Sequence, residues 1–422
     1  MESFNFLLFL AIILVSTKVL GIFSKKVKMP QVVGALVAGV ILGPSVLNLV
    51  QMESDGNFLA YMAEIGVILL MFCAGLETDL SELKANGVAS FIVAMCGVIV
   101  PLAGGFIAYA LYFHVDVSSF HECMKAVFVG TVLTATSVSI TVETLRELGH
   151  LKGKVGSTIL GAAIIDDILG IIALTLITSL ADTSVHVATV LIKIVAFFAV
   201  AIGCTVVYHV VFTKWRKRDK KDLRRHVIIS FVFCLLMAYV AELFGVADIT
   251  GAFVAGLAIS SEKDVKYISN RFETLSYMFL SPVFFASIGL TMNGINMNGK
   301  MVLFTVLLLA VAIVTKIIGC GLGAKVCKYT NQESLQIAMG MISRGEVALI
   351  VAAKGQKLGL MGDEVFAPII IMVVATTIIT PVFLKFVFKD NHEEHVEDEL
   401  MKSVEGFSQY EQELQELSRK EK

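Results

Sequence analysis

Ile164-Ile165-Asp166-Asp167-Ile168-Leu169-Gly170 sets two adjacent carboxylates inside an apolar run that extends from Val155 to Leu180. The run is long enough to cross a bilayer, because about 20 apolar residues at a rise of 1.5 Å each span the hydrocarbon. One ionised acid in that setting costs about 3 to above 10 kcal/mol. No basic residue lies in the same run to offset either charge. Acids kept in hydrocarbon are functional sites by default. The doublet therefore predicts a helical membrane protein with a place where a cation and a proton bind. Two satisfied acids at a helix–helix seam form the competing reading.

Composition agrees with the fold class. The chain has 422 residues, 56% of them hydrophobic and only 17% charged, with a mean hydropathy of +0.82; an average soluble domain is nearer 25% charged. The seven cysteines are scattered through apolar runs without CxxC spacing, so they read as small buried hydrophobes. The eight histidines show no zinc spacing, and no nucleophile–base constellation is visible, so neither an enzyme nor a resident metal or other cofactor is expected. Met1 to Phe23 lacks a basic start and a small-residue cleavage site and reads as a first membrane helix.

Thirteen apolar segments follow from the length rule: 4–23, 30–49, 57–76, 86–112, 124–143, 155–180, 186–212, 226–245, 248–261, 274–291, 300–325, 332–354 and 364–388. The ninth is short, and Pro282 is expected to kink the tenth. Loops after odd-numbered segments carry twenty Lys and Arg residues, including the block from Lys214 to Arg225, against four after even-numbered ones. Basic loops stay cytoplasmic, so the N-terminus is expected outside and the C-terminus in the cytoplasm. The basic block reads as a topogenic loop at the lipid surface rather than a nucleic-acid site. The acidic stretch 391–422 reads as a charged cytoplasmic tail.

Segments one to six and eight to thirteen make two groups of six, and the odd linker between them inverts one group relative to the other. Sequence that favours broken helix recurs at matching positions, as Thr134-Ala135-Thr136-Ser137 in segment five and Ser343-Arg344-Gly345-Glu346 in segment twelve. Paired interruptions point to a transporter's binding site, because broken backbone in lipid persists only where protein or water satisfies it. Small-residue packing for the first break and an interfacial ion pair for Arg344 and Glu346 are the bland alternatives. Lys316 lies in the middle of segment eleven, too deep to reach either interface, so Asp166 or Asp167 is its expected partner. Glu64, a third of the way into segment three, is open to a structural hydrogen bond or a role beside the site.

These residues resemble the bacterial monovalent cation:proton antiporters of the NapA, NhaA and KefC type across the membrane portion. The matches are Ile165-Asp166-Asp167, Thr134 to Ile140, Lys316, Ser343 to Val347, Phe72-Cys73-Ala74-Gly75-Leu76-Glu77, and Pro30 to Pro44 with Gly34, Gly39 and Gly43. The resemblance implies an all-α fold of about 13 transmembrane helices, two inverted six-helix repeats and two crossing discontinuous helices. It implies a membrane domain over 1–390, with scaffold helices at 4–76 and 226–291 that form a homodimer. Core ion-transport helices would lie at 86–180 and 300–388, with a linker helix at 186–212. It assigns Asp167 as the group that alternately holds H+ or Na+, with Asp166 and Thr136 as further Na+ ligands and Lys316 paired to Asp166; Glu64 and Glu77 are secondary candidates. It implies a bacterial plasma membrane location. Two acids with that lysine, and no GxGxxG after segment thirteen, favour electrogenic Na+/H+ exchange over gated K+ efflux, while K+ stays open as a cation. An ion channel or a sodium-coupled organic-anion symporter fits less well, since filter loops are absent and paired central acids would repel an anion.

Overall fold

A computed structural model describes residues 5–27, 29–50, 58–116, 119–181, 187–218, 223–262, 264–290, 298–357 and 359–388. The acidic tail and the centre of the basic loop lie outside the described residues. Every regular element described is helical: α1 (Asn5–Lys26), α2 (Gln31–Leu42), α3 (Phe58–Glu77), α4 (Leu80–Ala85), α5 (Gly87–Phe113), α6 (Phe120–Val132), α7 (Val138–Glu147), α8 (Lys154–Ala181) and α9 (Val187–Arg218) come first. Then follow α10 (Leu223–Leu243), α11 (Asp248–Ile259), α12 (Val265–Leu275), α13 (Ser281–Leu290), α14 (Gly299–Val326), α15 (Asn331–Gly340), α16 (Glu346–Lys357) and α17 (Asp363–Val387). Among the described residues nine helices are long and apolar enough to cross a membrane, α12 and α13 counting as one.

The other four expected segments take shapes that the length rule misses. The second and ninth are helices of only 12 residues each, α2 and α11. Helix α2 stops at Gly43 ahead of Pro44, so the expected span 30–49 is helical over little more than half its length. Segments five and twelve are each two half-helices, α6 with α7 and α15 with α16. The fifth also reaches further than expected, from Phe120 to Glu147, which puts Arg146 in a helix's last turn and not in a loop. Helix α4 was not expected; Asp79 caps it by accepting the Ser81 amide at 2.7 Å. Pro282 does not break its segment. A π-helical turn over Ser276–Leu280 joins α12 to α13 just before it, which accommodates the missing amide.

Packing partners repeat across the two halves. Helix α1 packs on α2 as α10 packs on α11; α3 packs on α11 as α13 packs on α2; α5 packs on α8 as α14 packs on α17. Helices α5 and α14 pack on each other at the centre of this pattern. Their approach is close because glycines face backbone: a Cβ on Gly319 would lie 2.5 Å from the Cys96 carbonyl oxygen. Helix α9, between the halves, leaves Ile192, Val195, Ile202, Val206 and Val207 exposed. In water such a stripe would be costly, whereas against lipid tails it loses nothing.

Candidate functional site

The two breaks meet. The Ser137 amide donates to the Ser343 carbonyl at 2.9 Å, and the Ser343 hydroxyl donates back to the Ser137 carbonyl at 2.8 Å. The Thr141 hydroxyl donates to the Gly340 carbonyl at 2.6 Å and lies 2.9 Å from the Ser343 hydroxyl. These are the groups that leave the helical ladder, and each break satisfies the other. Gly345 is required by this approach, since a Cβ there would sit 2.6 Å from the Ser137 hydroxyl oxygen.

Arg344 lies under the crossing and is fully buried, at 0% exposure. Its guanidinium donates to the carbonyls of Ile342 at 2.8 Å, Met341 at 3.3 Å and Ser343 at 3.4 Å, and to Ala312 on α14 at 3.3 Å. The first three carbonyls follow the C-terminal end of α15, where partial negative charge accumulates. The Arg344 carbonyl in turn accepts the Thr377 hydroxyl of α17 at 2.6 Å. Arg344 therefore ties the break together from a buried position and does not lie at an interface. The Glu346 side chain lies outside the described residues.

Helix α8 brings its acid doublet beside the crossing. Asp166 is 1% exposed and Lys316 0%. The Lys316 ammonium donates to both Asp166 carboxylate oxygens, at 3.2 and 3.3 Å. The Arg344 charge of the second break also acts on the Asp166 carboxylate, and Thr136 of the first break is buried, 2% exposed. Asp166 is thus held by Lys316 of α14, within the electrostatic reach of the second break. Thr134 bonds within its own helix end, to the Thr131 carbonyl at 2.8 Å, and Ala135 is buried beside it.

Asp167 has a different outlook. It is 4% exposed and lines a cavity of about 170 Å³ with Gly170, Ile171 and Leu174 of its own helix, Val347 and Val351 of α16, and the turn between α10 and α11. Glu242 at the end of α10 lines the same cavity. Asp248 at the start of α11 lies within electrostatic reach of Glu242 and of Glu64 on α3. Glu64 is exposed and is linked to this group through Asp248. Sequence reasoning did not single out Glu242 or Asp248; the only signal is two acids flanking a short turn in a connection that has no Lys or Arg.

Glu77 belongs to a separate cluster. Arg146 of α7 pairs with Glu77 of α3 at 2.9 Å and with Glu273 of α12 at 3.1 Å, and its guanidinium stacks 3.8 Å from the Tyr277 ring centre. Glu147 beside it accepts the Gln31 and Val32 amides at the start of α2. The end of α7 is thereby fastened to α2, α3 and α12. Among the described residues no three His, Cys, Asp or Glu side chains converge as a metal cluster would. A monovalent ion at Asp167 would rely on a carboxylate together with hydroxyl and carbonyl oxygens of the kind that the breaks supply.

Comparison with known proteins places this geometry among transporters. Residues 10–390 match the family model of the transmembrane sodium/hydrogen exchangers. The chain is 40% identical over 389 residues to the Na(+)/H(+)-K(+) antiporter GerN of Bacillus cereus, covering 92% of this chain and 97% of that one. It is 36% identical to a Na(+)/H(+) antiporter of Enterococcus hirae, over 91% of this chain and 98% of the relative. The fold is similar to that of the sodium proton antiporter MjNhaP1 from Methanocaldococcus jannaschii at pH 8, with a TM-score of 0.66 and 20% identity over 92% of this chain and all of that chain.

Proposed function

This chain belongs to the sodium/hydrogen exchanger family, and on that premise we propose that it exchanges Na+ for H+ by alternating access, with Asp167 holding either ion. The observation that carries the reading is the unequal setting of the doublet. Asp166 is bound by Lys316, whereas Asp167 lines a cavity that reaches a second carboxylate, Glu242. A proton arriving at Asp167 neutralises it and displaces the cation; a cation arriving displaces the proton. Either occupant removes the penalty of moving a bare carboxylate through a dry barrier, so the site crosses readily only when filled. That competition is the coupling.

The exchange is electrogenic in this reading. A cation drawn to the doublet also attracts the Asp166 carboxylate away from Lys316, and an ammonium left without its partner in an apolar site releases its proton. Two protons then move against one Na+. The interrupted helices with α5, α8, α14 and α17 form the moving core, and α1–α3 with α10–α13 form the scaffold and the homodimer surface. We place the protein in a bacterial plasma membrane with thirteen spans, its N-terminus outside and its C-terminus in the cytoplasm, and with no cofactor. K+ is a second candidate cation, because the GerN relative is a Na(+)/H(+)-K(+) antiporter.

Reconstituted vesicles with an imposed pH gradient test this. Added Na+ collapses the gradient with the native protein, and Asp167→Asn abolishes the response. Parallel additions of K+ and Li+ identify the cation range. Full exchange by Asp167→Asn would refute the assignment.

A further inference from the structure

Lys316 and Asp166 belong to helices that α5 separates, since α5 packs against both α14 and α8. The lysine must therefore pass across α5 to reach its carboxylate. It does so at Gly97. A Cβ built on Gly97 would lie 3.4 Å from the Lys316 ammonium nitrogen, 3.9 Å from its Cδ and 2.7 Å from the Cys320 sulfur one turn along α14. The last distance is closer than side chains tolerate. Nearby glycines differ in what they face: Gly319 and Gly323 meet the backbone of α5 at Cys96 and Ile92, where close helix approach alone is at stake.

We propose that Gly97 is a positioning residue for exchange, the gap in α5 through which the Lys316 ammonium reaches Asp166. Any side chain there crowds the Cys320 sulfur, and one larger than alanine enters the ammonium's own space. The lysine is driven from the carboxylate, and the second proton carrier is lost while Asp167 keeps its cavity. This inference rests on the role given above to the Asp166–Lys316 pair. Alanine perturbs the pair through Cys320, and valine fills the ammonium's own place. A protein interior yields little to added methyl groups, so the two substitutions should act in a graded way.

The test compares Gly97→Ala, Gly97→Val, Lys316→Gln and the double variant Gly97→Ala/Cys320→Ala in proteoliposomes, reading the dependence of Na+-driven H+ flux on imposed membrane potential. Lys316→Gln removes that dependence. Gly97→Val is expected to match it, Gly97→Ala to weaken the dependence several-fold, and the double variant, with the sulfur gone, to recover the native response. Thermal unfolding of Gly97→Ala, Lys316→Gln and their combination forms a second, independent measurement. The alanine is expected to destabilise much less when Lys316 is already replaced. Native voltage dependence in both Gly97 variants, or additive losses of stability in the cycle, would overturn the positioning role. If Lys316→Gln itself kept the native voltage dependence, the electrogenic reading would fall. The stability cycle would still decide whether Gly97 acts through the lysine.

Discussion

Replacing Lys316 with Gln leaves the Asp166 carboxylate without its ammonium partner in a buried site. Breaking a buried pair by removing one partner typically costs about 3–5 kcal/mol. A tighter limit follows from proton chemistry, since the abandoned acid can be neutralised. Protonating a carboxyl of ordinary pKa near 3.9 at pH 7 takes about 4 kcal/mol, at about 1.4 kcal/mol per pH unit. The deficit of Lys316→Gln should thus be about 4 kcal/mol at pH 7, fall to about 1.5 kcal/mol at pH 5 and vanish near pH 4. Asp166→Asn behaves oppositely. Its lysine must give up a proton, which takes about 4.5 kcal/mol at pH 7 and less as pH rises. With both charges removed, only a neutral hydrogen bond is at stake, about 1 kcal/mol, with no pH dependence. Unfolding of the native protein, the two single variants and the double variant in detergent, at several pH values, measures all four. Parallel pH slopes for the single variants, or additive losses in the double, would refute the pairing.

Arg146→Ala should release the end of α7 from α3 and α12. The ion pairs and the ring stack are partly exposed, so about 2 kcal/mol is at stake, a shift of roughly thirtyfold between states. Thiol labelling of a Ser137→Cys reporter in a cysteine-free background should speed up accordingly from the side on which Arg146 lies; an unchanged rate would count against α7 moving relative to those helices. Gly345→Ala should abolish transport by forcing its methyl onto Ser137, and Ser137→Gly should restore part of it in the double variant; restoration is read as Na+-driven H+ flux. Glu242→Gln should raise the Na+ concentration needed for half-maximal exchange while leaving the maximal rate near native. A native half-saturation value in vesicle assays would remove Glu242 from the cation's route.

Much of the site was legible because hydrocarbon makes charge conspicuous. Asp166, Asp167 and Lys316 stand out against runs of Ile, Leu and Val, and the two broken stretches stand out because small hydroxyl residues and Gly345 interrupt otherwise good helices. Which acid takes the lysine was not fixed by the residues themselves, since adjacent side chains on a helix point about 100° apart and only the neighbours' placement decides. Arg344 was legible as part of the second break, with an interfacial ion pair as the bland alternative; that it is buried and bonded to the carbonyls after α15 and to Ala312 depends on packing that the sequence does not display. Glu77 carried a family motif but pairs with Arg146, which it shares with Glu273, both residues far away along the chain. The shortness of α2 was masked by an apolar stretch that continues past the point where Gly43 and Pro44 end the helix. Gly97 gave no signal at all; its meaning depends on a lysine more than two hundred residues away.

The central claim is that Na+ and H+ compete for the Asp167 carboxylate, and Na+ binding to the purified protein as a function of pH tests it most directly. Competition at Asp167, with the Lys316 proton also leaving on cation binding, predicts an apparent Kd for Na+ that rises as pH falls, about tenfold per pH unit where one proton is released and about a hundredfold where both are, with matching proton release into a weakly buffered solution; Asp167→Asn should bind no Na+. A Kd that stays constant as pH falls, with no protons released, would contradict the account.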